Sequence, residues 1–396
     1  MHLSMWTYPW DIQDLGFDRT VADLRNRAGL NTISLATSYH AGRFLQPRSP
    51  ARKAYFPEDG TIYFQPTPER WEGVTIQPVV ASVISEGGDV LAELVRRRDE
   101  DGGMKVSLWT VCLHNTRIGM LHPEVVTRNA FGDPNYYNLC PSHPDARAYV
   151  MTMVADVTAR YRPDAVELES PSFMGFAHEY HHEKDGVGLT PEDDFLLSLC
   201  FCDACHKRAS AAGVDIAKAQ ATVRGWIDEM CEREVPQARW PDFPAAGLDV
   251  FKSYPEVHDF LMWRFEPVTS LVQEIRATAD PASKIYVIDL KDGWLGGCDT
   301  AALAEVSDGI ILCAYGMEPD AVRELISAGR EAVGPEKYLG TGFRVFYPEV
   351  PDAATLATRS KAAIEAGAEG INYYNYGLIP EKRLDWVRRA VAAVAA

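Results

Sequence analysis

Short apolar runs alternate with helical patterns along almost the whole chain, and nothing else in the sequence constrains its fold as strongly. Strand-like runs cover residues 5–10, 32–36, 105–113, 165–169, 285–290, 309–314, 338–346 and 370–374. Helical patterns fall between them at 17–28, 89–98, 144–161, 301–306, 320–333 and 353–366. In the first of these Phe17, Val21 and Leu24 share a face, and Gly29 is placed to stop the helix. Strands each followed by a helical segment predict an α/β fold, a (β/α)8 TIM barrel. An open doubly wound sheet is the alternative, and it is disfavoured because no glycine-rich phosphate loop follows the first strand.

The 396 residues are read as one barrel domain, 1–396, with two insertions around the mouth. Residues 41–79 carry Phe44, Tyr55, Phe56, Tyr63, Phe64 and Trp71. The expectation there is a loop or small hairpin over the site, its rings stacking on sugar faces, with a small satellite core as the alternative. Residues 170–283 form a large helical insertion after strand four, with helices expected at 192–212, 216–233 and 257–279.

Active sites of such barrels lie at the carboxyl ends of the strands. The fourth strand reads Ala165-Val-Glu-Leu-Glu169 and is stopped by Ser170-Pro171. Alternation puts Glu167 and Glu169 on one face, where carboxylates are costly unless bonded or used. Glu167 lies deeper and suits a structural role; Glu169, at the strand end, suits catalysis. The other strand ends contribute Tyr39, His40, His114, Asn115, Asp289, Lys291, Tyr315, Arg344, Tyr374 and Asn375. Acids, aromatics and hydrogen-bond donors without a phosphate loop fit a polyhydroxylated, uncharged or weakly acidic substrate. Glycosidic cleavage needs two carboxyl groups, one protonated and one ionised. Glu169 is the expected general acid/base and Asp289 the nucleophile or base, with Lys291 on the same face to keep Asp289 ionised. Glu349 is the second candidate for the partner. Nine further residues, Tyr39, His40, His114, Asn115, Lys291, Tyr315, Arg344, Tyr374 and Asn375, are the expected substrate contacts.

Cys200, Cys202 and Cys205 form a C-x-C-x2-C group that brings three thiolates to one tetrahedral ion, and zinc needs a fourth ligand. Cys140 is the best fourth, with His206 and His143 as alternatives; a closed site of this kind is structural. His178, His181 and His182, with Glu179 and Glu183, raise a catalytic metal as a rival, but the spacing is not that of a helical zinc-peptidase motif. Cys112, Cys231, Cys298 and Cys313 are read as packing residues.

The net charge of −17 argues against nucleic acid and anionic membranes as partners and leaves a small carbohydrate. No apolar run approaches the roughly 20 residues that span a bilayer. The first ten residues lack a basic region followed by an apolar core, so the cytoplasm is the expected location. A homo-oligomer is compatible with the sequence.

Cys140-Pro-Ser-His-Pro-Asp-Ala-Arg-Ala-Tyr149, an acid ending strand four, and Cys200-Phe-Cys-Asp-Ala-Cys205 together resemble, in order and type, the β-galactosidases of glycoside hydrolase family 42. The resemblance implies a glycosidase-like (β/α)8 barrel, structural zinc at Cys140, Cys200, Cys202 and Cys205, and an acid/base role for Glu169. It covers roughly residues 105–210. The expected activity is therefore hydrolysis of a glycosidic bond in a small oligosaccharide or glycoside. A sugar-acid lyase or isomerase, or a non-catalytic carbohydrate-binding barrel, stands as the alternative.

Overall fold

A computed structural model describes residues 1–178 and 183–395. Among them eight parallel strands close into a barrel: β1 (His2–Thr7), β2 (Thr32–Tyr39), β3 (Lys105–Val111), β4 (Ala165–Glu169), β5 (Lys284–Asp289), β6 (Gly309–Cys313), β7 (Tyr338–Arg344) and β8 (Gly370–Tyr374). Each pairs with its sequence neighbours, and β1 pairs with both β2 and β8, which seals the sheet. Strands covered on both faces need no polar side, and β2 is buried along all of its length. The expected boundaries of β4 and β8 coincide with those observed. The first strand begins earlier than expected, at His2, because Pro9 and Trp10 open the helix Pro9–Leu15.

Local chemistry sets the helix ends. Asp89 accepts from the Ala92 N–H at 3.0 Å to start Val90–Asp101, and Gly102, at φ +61°, ends it. Pro144 occupies the first turn of Pro144–Tyr161, where its missing N–H costs nothing. Two helices of the insertion are shorter than their patterns. The run 192–212 is broken into Pro191–Ser198 and Asp203–Ala211, with Cys200 in the break and Cys202 at the second helix's start. The run 257–279 is broken at Arg264 into Pro255–Trp263 and Phe265–Thr278.

The aromatic segment 41–79 is mainly a satellite core. Tyr63, Phe64 and Trp71 are buried, and the Trp71 indole donates to Asp156 at 3.0 Å. A short antiparallel pair, Phe44–Leu45 with Ala54–Tyr55, lies apart from Thr61–Ile62, which joins the edge of β2. Rings expected to meet a sugar are thus mostly committed to the fold; Phe56 alone of the six is exposed.

Candidate active site

Trp109, in the middle of β3, organises the mouth of the barrel. Its indole N–H donates to Oε2 of Glu169, the last residue of β4. Around the indole stand Tyr39 at 5.1 Å, Tyr8 at 5.2 Å and Tyr374 at 5.6 Å between ring centroids. Tyr8 and Tyr374 share a hydrogen bond between their hydroxyls at 3.0 Å, and the Tyr39 hydroxyl is 3.5 Å from that of Tyr374. The charge of Glu169 acts on Tyr39, Tyr315 and Tyr374, each of whose hydroxyls it pushes up. Burial in this aromatic cage lifts the Glu169 carboxyl to about 7, against the Trp109 hydrogen bond, which pulls it down. A carboxyl poised there is protonated in about half of the molecules at neutral pH and can give its proton up.

Arg344, ending β7, lies over the Tyr315 ring at 4.6 Å and donates to Oε1 of Glu349 at 2.7 Å. Oε2 of Glu349 is buried and has no hydrogen-bond partner among the described residues. The pair places a second carboxylate on the β7 side of the mouth, and both Tyr315 and Tyr374 act on Arg344.

Asp289 serves its own loop instead. Its Oδ1 accepts from the Leu290 N–H at 2.8 Å and its Oδ2 from the Thr300 hydroxyl at 3.3 Å. Gly293 lies so close that a Cβ there would fall 2.1 Å from Oδ1. Burial raises the Asp289 carboxyl to about 6, against the hydrogen bonds from Leu290 and Thr300 that pull it down. Lys291 is exposed, outside the buried setting of Asp289. The pairing expected for these two residues is therefore not formed, because the chain turns at Leu290 and carries the lysine outward.

Two of the expected substrate contacts bond to neighbouring backbone. Asn115 accepts from the Ile118 N–H at 2.9 Å and so caps the helix Thr116–Leu121, while its amide reaches the Gly60 carbonyl at 3.4 Å. Asn115→Ala should cost about 1 kcal/mol, the usual worth of such a cap, and chemical denaturation checks this; a substrate contact would instead change KM at unchanged stability. Asn375 is fully buried and its Oδ1 accepts from the Gly377 N–H at 3.0 Å.

His40 and His114 lie on a second side of the mouth. Their rings stack at 3.8 Å, His40 also stacks on Tyr39 at 4.2 Å, and His178 meets His114 edge-on at 4.8 Å. Burial lowers His40 to about 4 and depresses His114 further, so both imidazoles are neutral at pH 7. His181, His182 and Glu179 of the rival metal motif lie outside the described residues.

Glu167 has the structural role assigned to it. Its Oε2 accepts from Trp6 at 2.8 Å, Ser34 at 2.7 Å and Asn372 at 3.0 Å inside the barrel.

Beside the barrel, Cys140, Cys200, Cys202 and Cys205 are buried, with their sulfurs all within 4.8 Å of one another. From Cys140 the distances are 3.5 Å to Cys205, 3.6 Å to Cys202 and 3.9 Å to Cys200. Four sulfurs at about 2.3 Å from a tetrahedral ion stand about 3.8 Å apart, so the set fits a metal ion. The N–H groups of Arg128 and Ser142 point at Cys200 and Cys140, each at 3.4 Å, and help hold thiolates. Neither His143 nor His206 belongs to the group. Cys112, Cys298 and Cys313 are buried as expected of packing residues, whereas Cys231 is exposed.

Tyr8 and Trp109 escape a reading based on strand ends. Trp109 sits inside β3, two residues before its end, and Tyr8 follows β1 in a segment that the sequence assigns to the strand itself. Inward alternation was the available signal: Trp109 shares a β3 face with Ser107 and Val111.

No protein-family model matches the chain, and no curated protein does. Among solved structures it resembles the α-L-fucosidase isoenzyme 2 of Paenibacillus thiaminolyticus, with a TM-score of 0.56 and 13% identity over all of this chain and 50% of the fucosidase. This chain thus spans half the length of that enzyme. The PgaB (BpsB) glycoside hydrolase domain of Bordetella bronchiseptica matches at 0.55 and 14% identity, over all of this chain and 97% of that one. The Group IV chitinase of Ostrinia furnacalis matches at 0.50 and 8%, with both chains fully covered. At these identities the likeness is one of fold.

Proposed function

We propose that the chain is a glycoside hydrolase acting on a small oligosaccharide or glycoside, with Glu169 as the proton donor. The observation that carries this reading is the Glu169 carboxyl at the end of β4, held by the Trp109 indole that Tyr39 and Tyr374 pack against, and lifted to about 7. The named activities of the similar barrels, fucosidase, chitinase and a glycoside hydrolase domain, support it. So does the family-42-like order of the strand-four acid and the four cysteines.

In the proposed reaction Glu169 gives its proton to the leaving oxygen as the bond to the anomeric carbon breaks. A second carboxylate either attacks the anomeric carbon and is later displaced by water, or takes a proton from a water that attacks it, so that the water oxygen ends on the sugar. Glu349 suits this role better than Asp289, because Arg344 is its counter-ion and one of its oxygens has no partner. Both oxygens of Asp289 are engaged by its own loop. The neutral His40–His114 stack and the phenols offer hydrogen bonds and flat faces suited to an uncharged sugar. The four-cysteine group is read as a structural zinc site; a zinc closed by four thiolates leaves no position for water, so it supplies no chemistry to the bond that is cut. We place the protein in the cytoplasm, as its reduced cysteine cluster suits, with no nucleic-acid or membrane partner. Among the described residues no helix is long and apolar enough to cross a membrane.

A panel of chromogenic α- and β-glycosides tests the reading, with release of the aglycone as the signal. Glu349→Gln should then lose about a hundredfold or more in kcat, while Asp289→Asn should lose less than about tenfold. The reverse order would return the second role to Asp289. An unsaturated product absorbing in the near ultraviolet would point to the lyase, and binding without turnover to the non-catalytic barrel.

A further inference from the structure

The rings on the Glu169 side of the mouth form a continuous ladder. The Trp109 indole, which donates to Glu169, meets Tyr39 edge-on with ring centroids 5.1 Å apart. Tyr39 stacks on His40 at 4.2 Å and 24°, and His40 stacks on His114 at 3.8 Å and 19°. Two rings so close and so nearly parallel to a third lie on its opposite faces. Both faces of the His40 imidazole are therefore covered, and the ring cannot turn without breaking two stacks. Its Nδ1 lies 2.7 Å from the Ala41 carbonyl. A carbonyl only accepts, so Nδ1 carries the proton of the neutral ring and Nε2 is a bare acceptor. Nε2 hydrogen-bonds to no described residue and stays open to solvent at the part-exposed edge of the ring.

A general acid gives its proton to the oxygen of the leaving group, so the part of the substrate that departs lies on the acid's side of the bond. Glu169 and the ladder belong to β2, β3, β4 and the turns that follow them. Arg344, Glu349 and the Tyr315 ring under the guanidinium belong to the β6 and β7 side. The sugar that is attacked thus falls between the two carboxyls, and the leaving group falls against His40. What His40 offers there is narrow. Neither of its faces is left for an aromatic aglycone to stack on, since Tyr39 and His114 occupy them. One fixed lone pair is left, and it suits a hydroxyl, which donates.

We propose that the departing part of the substrate is itself a sugar, held by a hydrogen bond from one of its hydroxyls to Nε2 of His40, so that the natural substrate is a disaccharide or longer and not an aryl glycoside. This rests on the hydrolase reading above and narrows it.

The test presents the glycone found with the chromogenic panel in two ways, as its nitrophenyl glycoside and as disaccharides with glucose, galactose or N-acetylglucosamine in the departing position. His40→Phe keeps a ring between Tyr39 and His114 and removes the lone pair. It should lower kcat/KM on the best disaccharide about tenfold, the worth of one hydrogen bond, and stay within about threefold of wild type on the nitrophenyl glycoside. His40→Gln, whose amide oxygen reaches toward the place of Nε2, should recover most of the loss. Equal losses on both kinds of substrate, or none on either, overturn the assignment. Where His40→Phe does not fold, the wild type decides. Removing the hydroxyls of the departing sugar one at a time should cost about tenfold at one position, and tolerance at every position overturns the hydrogen bond. A wild type that cleaves the nitrophenyl glycoside and none of the disaccharides overturns this proposal alone. One that cleaves neither overturns the hydrolase reading, and the proposal with it.

Discussion

Glu169→Gln is expected to lower kcat/KM by roughly a hundredfold or more on any glycoside the wild type cleaves. Glutamine keeps the shape and can still face the Trp109 indole, but it has no acidic proton to give. The loss should shrink for substrates whose leaving group departs easily, since those need the proton least. A merely structural Glu169 would show one loss for all leaving groups. The pH profile adds a second sign. A general acid works only when protonated, so kcat/KM of the wild type should fall as pH rises through about 7, the position to which burial lifts Glu169. That basic limb should vanish in Glu169→Gln. Trp109 donates to the ionised form and so holds the carboxyl down. Trp109→Phe removes that donor, and the basic limb should move to higher pH. Movement to lower pH would mean that Trp109 does not act on Glu169 through this hydrogen bond.

The barrel was legible because its signal is repeated. Strands such as β4 and β8 are short apolar runs bounded by breakers, and an error at one end does not disturb the count. The place of Glu169 at the end of β4 was legible for a related reason: Ser170-Pro171 breaks the run just after it. Its surroundings were not. Asp289 and Lys291 share a face only if the strand continues, and it ends at Asp289, where the carboxylate turns to its own N–H neighbour. Asn115 reads equally well as a sugar ligand or a helix cap, and only the course of the next turn decides. The aromatic insertion carried the same ambiguity: a ring that could meet a sugar can equally cover Asp156, as Trp71 does. Glu349 depends on Arg344 lying over Tyr315, a contact between two strands that no local spacing encodes.

The four cysteines are the case in which spacing did carry the geometry, and they support the other large effect. Cys140 follows the strand Pro134–Leu139, whereas Cys200, Cys202 and Cys205 sit where the helical insertion breaks. The two segments also meet directly: the Phe201 N–H reaches the Arg128 carbonyl at 2.7 Å and the Gln220 amide donates to the Ala130 carbonyl at 3.0 Å. A metal ion held there would tie an excursion of the β3 loop to the insertion after β4. Cys205→Ser should therefore cost about 4 kcal/mol or more, placing it among the exceptional single substitutions, which include loss of a metal. An unfolding entropy of about 2.1 cal/mol/K per residue turns this, for 396 residues, into a fall in Tm of about 5 °C. Stripping the wild type with a chelator should lower its Tm by a similar amount, and zinc should restore the wild type but not the variant. Chelation should leave the pH at which the basic limb falls unchanged, because burial and the Trp109 hydrogen bond set the position of Glu169. A Tm indifferent to both chelator and Cys205→Ser would mean that the four thiols hold this junction by packing alone.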